Sequence, residues 1–384
     1  MMTLYLDDVL KAIGEPDAVF PIFMRCNPIE TQPDEPDFSE TNVRNAAQLT
    51  DCDDEATARL CAAASFLRNN EMFRLAALCM YRCLFQFRED GYVRFSRVEQ
   101  QLGESIRMLI RTLSAFAVKR WHTEQNIPED ISRATLRYLR ASRNNFTGCF
   151  PDAAAYSWLR QLLYPELMYL HIVRFGFAIA PRPWNSITFR HENGSFLSLA
   201  KPDVYVDANG IPLTKDEYEQ EGGTKTVFRI ENGKITGHII AENGRISTNT
   251  EQIPADGYSL YLKDGMPVIN MHIPGGGGMT PDLVLQSWHC AKDFYSKRLG
   301  PDCPKVIACG SWTCSPELDE IVPPGSNLAR FVNFFRRLPN EACPQSLKHF
   351  IHPGTSLARA FDAYFEKGGR FREGSMFLPL DEIN

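Results

Sequence analysis

What this 384-residue sequence lacks narrows it first. It has no apolar run near the ~18–20 residues of a membrane-spanning helix, so no membrane span is expected. It has no surplus of positive charge: 41 Lys and Arg stand against 47 Asp and Glu, giving a formal charge of -6 and a pI near 5.8. A basic footprint for nucleic acid is therefore missing. The opening MMTLYLDDVL carries acids where a secretory signal has a basic stretch before an apolar one. Cysteine is present at 11 residues, but no C-x-x-C pair occurs; the nearest approaches are Cys79/Cys83 and Cys309/Cys314. Without paired spacings neither a zinc ribbon nor a disulfide scaffold is supported, and no metal is expected. A reducing, cytoplasmic protein is the expectation. Cys79 and Cys83, four apart in a helical pattern, read as small core hydrophobes.

What is present divides into two grammars, with a boundary near residue 165. Residues 1–165 read as a helical domain. Leu4 to Gly14 recurs with helical spacing, residues 28–42 (NPIETQPDEPDFSET) form a Pro- and acid-rich loop, and amphipathic stretches follow. Asp54–Asn69 carries Ala58, Cys61, Ala62 and Ser65 on one stripe, Glu71–Phe87 and Ser96–Trp121 continue the pattern, and Pro128 opens a segment to Arg140. Nothing in this half has catalytic character.

Residues 166–384 change to β-branched and aromatic runs punctuated by Asn-Gly and Asp-Gly. Tyr169–Phe177 reads as a strand. Turns follow at Asn193-Gly194, Asn209-Gly210, Asn232-Gly233, Asn243-Gly244 and Asp264-Gly265, the chemistry of tight hairpins. Val227–Ile230 with Ile235–Ile240 makes one expected hairpin, and Tyr258–Leu262 with Pro267–Ile273 another. Helices and strands then alternate to the end. The expected class is α+β: an all-helical first domain, then a mixed sheet flanked by helices.

The segment with most chemistry is VINMHIPGGGGMTPD, from Val268 to Asp282. A strand runs into Gly275, Gly276, Gly277 and Gly278, and then Thr280 stands as a helix N-cap with Pro281 in the first turn. Val284, Trp288, Ala291 and Tyr295 mark the buried face of that helix. Free N–H groups and the positive end of a helix dipole meet at such a junction, which suits a phosphate, although a glycine run also serves as a plain turn. The loop has no lysine, so it is not a nucleotide P-loop, and hairpins rather than βαβ units stand upstream, which argues against a dinucleotide fold.

Three later segments complete a series. After HIPGGG and TP come ACGSWTCSPEL (Ala308–Leu318), PPGSNLARF (Pro323–Phe331, heading a helix expected to reach Leu338) and PGTSLARAF (Pro353–Phe361), followed by Gly368-Gly369 and a last strand. In this order they resemble a bacterial acyltransferase family with a helical N-acyltransferase N-terminal domain and a GNAT-like C-terminal domain. The resemblance covers nearly the whole chain. It implies an acyl-CoA-dependent acyltransferase, an N-acyltransferase acting by direct transfer, with acyl-CoA as co-substrate and a small amine or similar molecule as acceptor. It further implies that Met271 and Ile273 offer main-chain hydrogen bonds to pantetheine and that Gly275 to Thr280, Met279 included, hold the diphosphate. Ala308–Trp312 would form the opposing wall, and Asn327 would open the helix that closes the site. One departure stands out: ordinary GNAT loops carry an Arg or Gln ahead of their glycines, and here Pro274 precedes them instead.

For chemistry, His272 is the candidate base, since it titrates near neutrality and shares a strand face with Asn270; a structural histidine is its other reading. Ser311 is the candidate group for orienting the acyl carbonyl or substrate, or else an ordinary strand hydroxyl. Cys309 and Cys314 lack the glycine spacing of a nucleophile elbow. Glu317, Asp319 and Glu320 read as a solvated helix face, while Tyr295 and Tyr364 combine a possible acid role with a place on apolar stripes. The alternative to an enzyme is a non-catalytic module that binds acyl-CoA or another ligand on the same fold.

Overall fold

The computed structural model describes residues 11, 37–86, 96–140, 162, 167–274, 278–340, 347 and 351–383. The helix expected over 4–14, most of the loop over 28–42, and Gly275, Gly276 and Gly277 lie outside them, apart from Lys11. The chain divides into two compact units, Met1–Ile172 and Val173–Asn384.

In the first unit the helices are α1 (Glu40–Thr50), α2 (Asp54–Asn69), α3 (Glu71–Gln86), α4 (Ser96–Leu102), α5 (Glu104–Leu113), α6 (Ala115–Glu124) and α7 (Glu129–Arg137). Their starts follow capping chemistry: the Ser39 hydroxyl accepts the Asn42 N–H, and Asp53 accepts the Ala56 N–H at 2.7 Å. In α2 the buried face is Ala56, Leu60, Ala63, Ala64 and Leu67, not the stripe of Ala58, Cys61, Ala62 and Ser65. Small residues surround this helix, so the two leucines, with the most apolar area to bury, decide which side turns inward. The helix expected over 96–121 is broken at Gly103, whose φ of 58° disfavours any side chain, and again at Ser114. Pro128 caps α7 from outside rather than lying in its first turn. A short strand, β1 (Leu170–Ile172), ends the unit; the His171 N–H donates to Thr135 Oγ1 at 2.9 Å, and its ring stacks on Tyr138.

The second unit begins at Val173, whose φ of 57° interrupts the strand expected over 169–177. Its elements are β2 (Phe175–Pro181), β3 (Ser186–His191), β4 (Phe196–Ala200), β5 (Tyr205–Val206), β6 (Pro212–Leu213), α8 (Lys215–Glu221), β7 (Thr224–Lys225), β8 (Phe228–Glu231), β9 (Lys234–Gly237), β10 (Glu251–Pro254), β11 (Tyr258–Leu262) and β12 (Pro267–His272), followed by α9 (Pro281–Leu299), β13 (Val306–Ser311), α10 (Leu318–Ile321), α11 (Asn327–Val332), β14 (Arg336–Pro339), α12 (Ser356–Glu366) and β15 (Gly374–Pro379). In the main sheet β2, β12, β13, β15 and β14 lie side by side in that order; β12 and β13 run parallel and the other neighbours antiparallel. Three small antiparallel sheets come from the meander: β10-β9-β8, β11-β3-β4 and β6-β5-β7. The five Asn-Gly and Asp-Gly turns all place their glycine at φ between 69° and 89°. The fold is α+β.

Two expectations fail here for identifiable reasons. β11 and β12 are consecutive but not a hairpin: β11 pairs with β3, and β12 with β2 and β13. Asp264, in the turn between them, accepts the Trp184 N–H at 2.6 Å and pairs with Lys201, fixing the turn to the β3–β4 side. The helix expected to reach Leu338 stops at Val332, and Arg336–Pro339 joins β15 as an edge strand. Arg337 is anchored there by a two-pronged pair with Asp319 at 2.9 and 2.7 Å, and Arg336 by Glu382.

One face of the main sheet presents Val268, Val306, Ala308 and Phe377 to a core with Trp184, Val206, Ile246 and Tyr261. The opposite face is covered by α9 and α11, where Trp288 packs against Phe331 and Phe335 and its Nε1–H meets Met271 Sδ at 3.3 Å. The face expected to be buried on α9, Val284, Trp288, Ala291 and Tyr295, is buried.

Candidate active site

The centre of the site is a gap between two strands. β12 is paired with β2 along its whole length, Pro267 to His272, and β13 with β15 along its whole length, Val306 to Ser311. Toward each other the two pair at only two positions, Ile269 with Ile307 and Asn270 with Ala308. Beyond Asn270 and Ala308 no ladder joins them, so the main-chain groups of Met271, His272 and Ile273 on one side and of Cys309 to Ser311 on the other border an opening. Each strand is held from outside, which keeps the gap from zipping shut.

The register assigns the faces. Partners in a parallel pair share a face and successive residues alternate. His272 therefore lies on the face of Asn270, Ala308 and Gly310, whereas Ser311 lies with Ile307 and Cys309 on the face covered by α9. The two residues singled out for chemistry border the same gap from opposite faces. Ser311 is also engaged locally: its hydroxyl accepts the Thr313 N–H at 3.3 Å and caps a 3₁₀ turn, Trp312–Cys314. Cys309 and Cys314 are buried; burial pushes the Cys314 thiol up, and that thiol meets the Cys309 carbonyl. Arg182 favours the thiolate at both, and the Cys314 hydrogen bond pulls the Cys309 thiol down, but neither sulfur has the exposed setting of a nucleophile.

On the His272 face, two residues that no motif marked complete the end of the gap. Arg182 reaches across from the residue after β2: Nη1 donates to Asn270 Oδ1 at 2.8 Å, Nη2 to Ser375 Oγ at 3.1 Å, and the guanidinium lies 5.2 Å from the Trp184 ring centroid. Gly310 makes room for it, because a Cβ there would stand 1.7 Å from Arg182 Nη2. Glu373, just before β15, is half-buried; burial raises its pKa and the nearby Arg182 charge opposes that rise. By alternation from Ser375, Glu373 belongs to the same face as Arg182 and His272. Their only trace in the sequence is an arginine fixed between Pro181 and Pro183, and a carboxylate crowded into RFREG ahead of a buried strand.

At the other end of the gap β12 runs into the glycine loop and α9. Ile273 is half-buried, Met271 is buried, and Gly278 and Thr280 are exposed with Met279 between them. Thr280 holds the N-cap position at φ -68° and ψ 145°, yet its side chain makes no capping hydrogen bond, and Pro281 follows in the first turn. The start of this 19-residue helix is thus open to an external anion. Asn327 is the first, exposed residue of α11, with Ser326 as its cap. Tyr295 and Tyr364 donate to main-chain carbonyls, of Phe177 at 3.0 Å and Arg370 at 2.6 Å, so each proton is already committed, and burial, pushing both up in pKa, Tyr364 to about 12, makes them weaker acids. Glu317 is not on a solvated face. It is buried, with Oε2 accepting from Ser315 and the Arg372 N–H. Asp319 and Glu320 are exposed, as expected, and there pair with Arg337 and Arg245.

A concavity of about 890 Å³ lies elsewhere in the unit, lined by Asp207, Glu221, Arg245, Glu320, Lys367 and Arg370 among others. Its charges largely satisfy one another: Arg370 pairs with Asp207 and Glu221, and Arg245 with Glu320. Among the described residues no group of three or more His, Cys, Asp or Glu is arranged to hold a metal ion, and no described helix is long and apolar enough to cross a membrane.

Residues 240–378 match the model of the GNAT-like C-terminal domain family. Among solved structures, the whole chain is similar to an acyltransferase mutant in complex with octanoyl-CoA, at a TM-score of 0.60 and 13% identity, covering 99% of both chains. It is also similar to an acyltransferase in complex with CoA and 10C-teicoplanin, at 0.59 and 14%, covering 97% of this chain and 99% of that one, and to one in complex with decanoyl-CoA and teicoplanin with the same values. Comparison with curated proteins finds no match. Residues 240–378 thus form a GNAT-like C-terminal domain, and over nearly its full length the chain has the fold of these solved acyltransferases.

Proposed function

We propose that this chain is an acyl-CoA-dependent acyltransferase that moves the acyl group directly from the thioester to an amine of a small-molecule acceptor. The observation that carries the reading is the two-position pairing of β12 and β13. Held apart from outside, the strands leave main-chain N–H and C=O groups that an extended pantetheine arm could bond between them. Met271 and Ile273 lie on that border, and Gly278, Met279 and Thr280 lead to the uncapped start of α9, where the diphosphate would rest. Gly275, Gly276 and Gly277 belong to the same loop in sequence. Asn327 heads α11, which packs on α9 through Phe331 and Trp288.

Transfer to an amine requires a base for the ammonium proton and donors for the oxyanion. The parted main chain supplies N–H donors. The base is drawn from the face that holds His272 and Glu373. His272 lies nearest the parting point on β12, and Glu373 is a carboxylate whose burial raises its affinity for a proton. Arg182 braces the strands between them. Ser311 borders the gap from the other face, where its carbonyl-orienting role is compatible with its capping bond. Holding amine and thioester together provides much of the remaining rate.

The similar solved structures contain octanoyl-CoA, decanoyl-CoA or CoA, and in two cases a teicoplanin, so decanoyl-CoA is the first donor to try and teicoplanin, beside simple amines, the first acceptor. Cys61, Cys290, Cys303, Cys309 and Cys314 are free thiols, which supports work in a reducing compartment such as the cytoplasm. Decanoyl-CoA should raise the melting temperature, and an amine from the panel should release free CoA thiol. Binding with no thiol release for any amine, unaffected by His272→Ala, would support the second reading, an acyl-CoA-binding module without transfer. No stabilisation by any acyl-CoA would contradict both.

A further inference from the structure

The loop that meets the diphosphate has no cation of its own. From Met271 through Pro281 the sequence reads MHIPGGGGMTP, and Asp282 follows. A helix start contributes roughly half a positive charge, against a diphosphate with about two negative ones. The missing charge comes from a neighbouring strand. Arg174, in the residue before β2, sends Nη2 to the Pro274 carbonyl at 2.8 Å and Nε to the Gly278 carbonyl at 3.1 Å. Its main-chain N–H donates to Ser287 Oγ on α9 at 3.1 Å, and its guanidinium lies 5.6 Å from the Phe175 ring centroid. One side chain thus bonds to the residue entering the glycine loop and to the last glycine leaving it, while its backbone is tied to the helix beyond.

We propose that Arg174 is the positioning residue for the CoA diphosphate, replacing from the adjacent strand the Arg or Gln that the loop itself lacks. The proposal rests on the acyl-CoA reading above. In a planar trans peptide the N–H points opposite to the C=O. A guanidinium bonded to the Gly278 carbonyl therefore turns the Met279 N–H away from itself, polarised toward the side an anion would occupy. The same bond fixes that peptide's orientation before the ligand arrives. Arginine suits the task because its planar fork bonds two carbonyls at once and it stays charged although burial lowers its pKa.

The test compares two ligands that share a thioester arm and differ in the diphosphate: decanoyl-CoA and decanoyl-pantetheine. Affinities are measured for the full chain and for Arg174→Met and Arg174→Lys, with melting temperatures beside them. Arg174→Met should weaken decanoyl-CoA by about 10- to 100-fold, the scale of a charge-assisted contact, and decanoyl-pantetheine by less than about threefold. Arg174→Lys, which keeps the charge but not the two-carbonyl bridge, should recover part of the loss, and it carries the comparison if the Met variant does not fold. Equal weakening of both ligands, or none of either, would overturn the proposal and leave Arg174 a structural tie. If the unaltered chain binds neither ligand, the acyl-CoA reading itself falls.

Discussion

Two clusters of polar groups, one in each unit, differ in what they face. In the helical unit the cluster is closed on itself: His122 Nδ1 meets Ser132 Oγ at 2.9 Å, and Thr135 Oγ1 accepts the His171 N–H at 2.9 Å. In the second unit they collect at the open end of the main sheet, where Arg182, Asn270, Ser375 and Glu373 surround a gap that the backbone leaves unladdered. Paired groups inside a helix bundle hold a shape. Charged and polar groups gathered beside an unfilled gap have work to do on something that enters it.

The sharpest way to break this contrast is to remove the candidate bases. His272→Ala or Glu373→Gln should lower turnover by about 10²- to 10⁴-fold for whichever residue takes the proton, with little change in melting temperature. If both variants lose stability and keep turnover, the two units are alike and the contrast is wrong. On the helical side, the effect should appear in stability alone. Burial, with Lys119 adding to it, lowers the His122 pKa from 6.5 to about 4. Its contribution is therefore complete above about pH 6.5 and is lost as pH falls through about 4, on the order of 3 kcal/mol. His122→Gln should flatten the acid limb of the stability profile without touching acyl transfer, as followed by denaturant melts across pH.

A third comparison lies within the sheet. Gly310→Ala would displace the Arg182 guanidinium, since a Cβ at that position has no room beside it. Gly310→Ala and Arg182→Ala should each cost about 1–3 kcal/mol by leaving Asn270 and Ser375 unpaired, and the double variant should cost scarcely more than either. Full additivity in a double-mutant cycle would mean that Arg182 does not depend on Gly310. The smallest effect is expected at Glu317, where burial raises the pKa above 4.5. Its contribution is full below the unfolded value and lost as pH rises through the folded one, the reverse of His122. Glu317→Gln should level the fall in melting temperature that sets in as pH rises above about 4.5, and a steeper fall in that variant would contradict the sign.

How much of this could be read from the sequence depended on the range of the interaction. Local chemistry was legible: the Asn-Gly turns, the Thr280-Pro281 helix start and the buried face of α9 follow from residues a few positions apart. Long-range pairing was not. Tyr258–Leu262 and Pro267–His272 look like a hairpin because only the distant β2, β3 and β13 reveal that they belong to different sheets. The site divides the same way. His272 and the glycines sit inside a motif, whereas Arg174, Arg182 and Glu373 come from segments about 200 residues apart at the extremes, and no spacing rule joins them. Ser311 was legible as a strand residue but not in its face, because that depends on a parallel register only two positions long.

The most direct measurement is a crystal structure with a non-hydrolysable thioether analogue of decanoyl-CoA. The account predicts the pantetheine arm threaded between β12 and β13, hydrogen-bonded to the main chain of Met271–Ile273, with the sulfur near the point where Asn270 and Ala308 part. An analogue bound elsewhere, beside strands paired along their whole length, would contradict it.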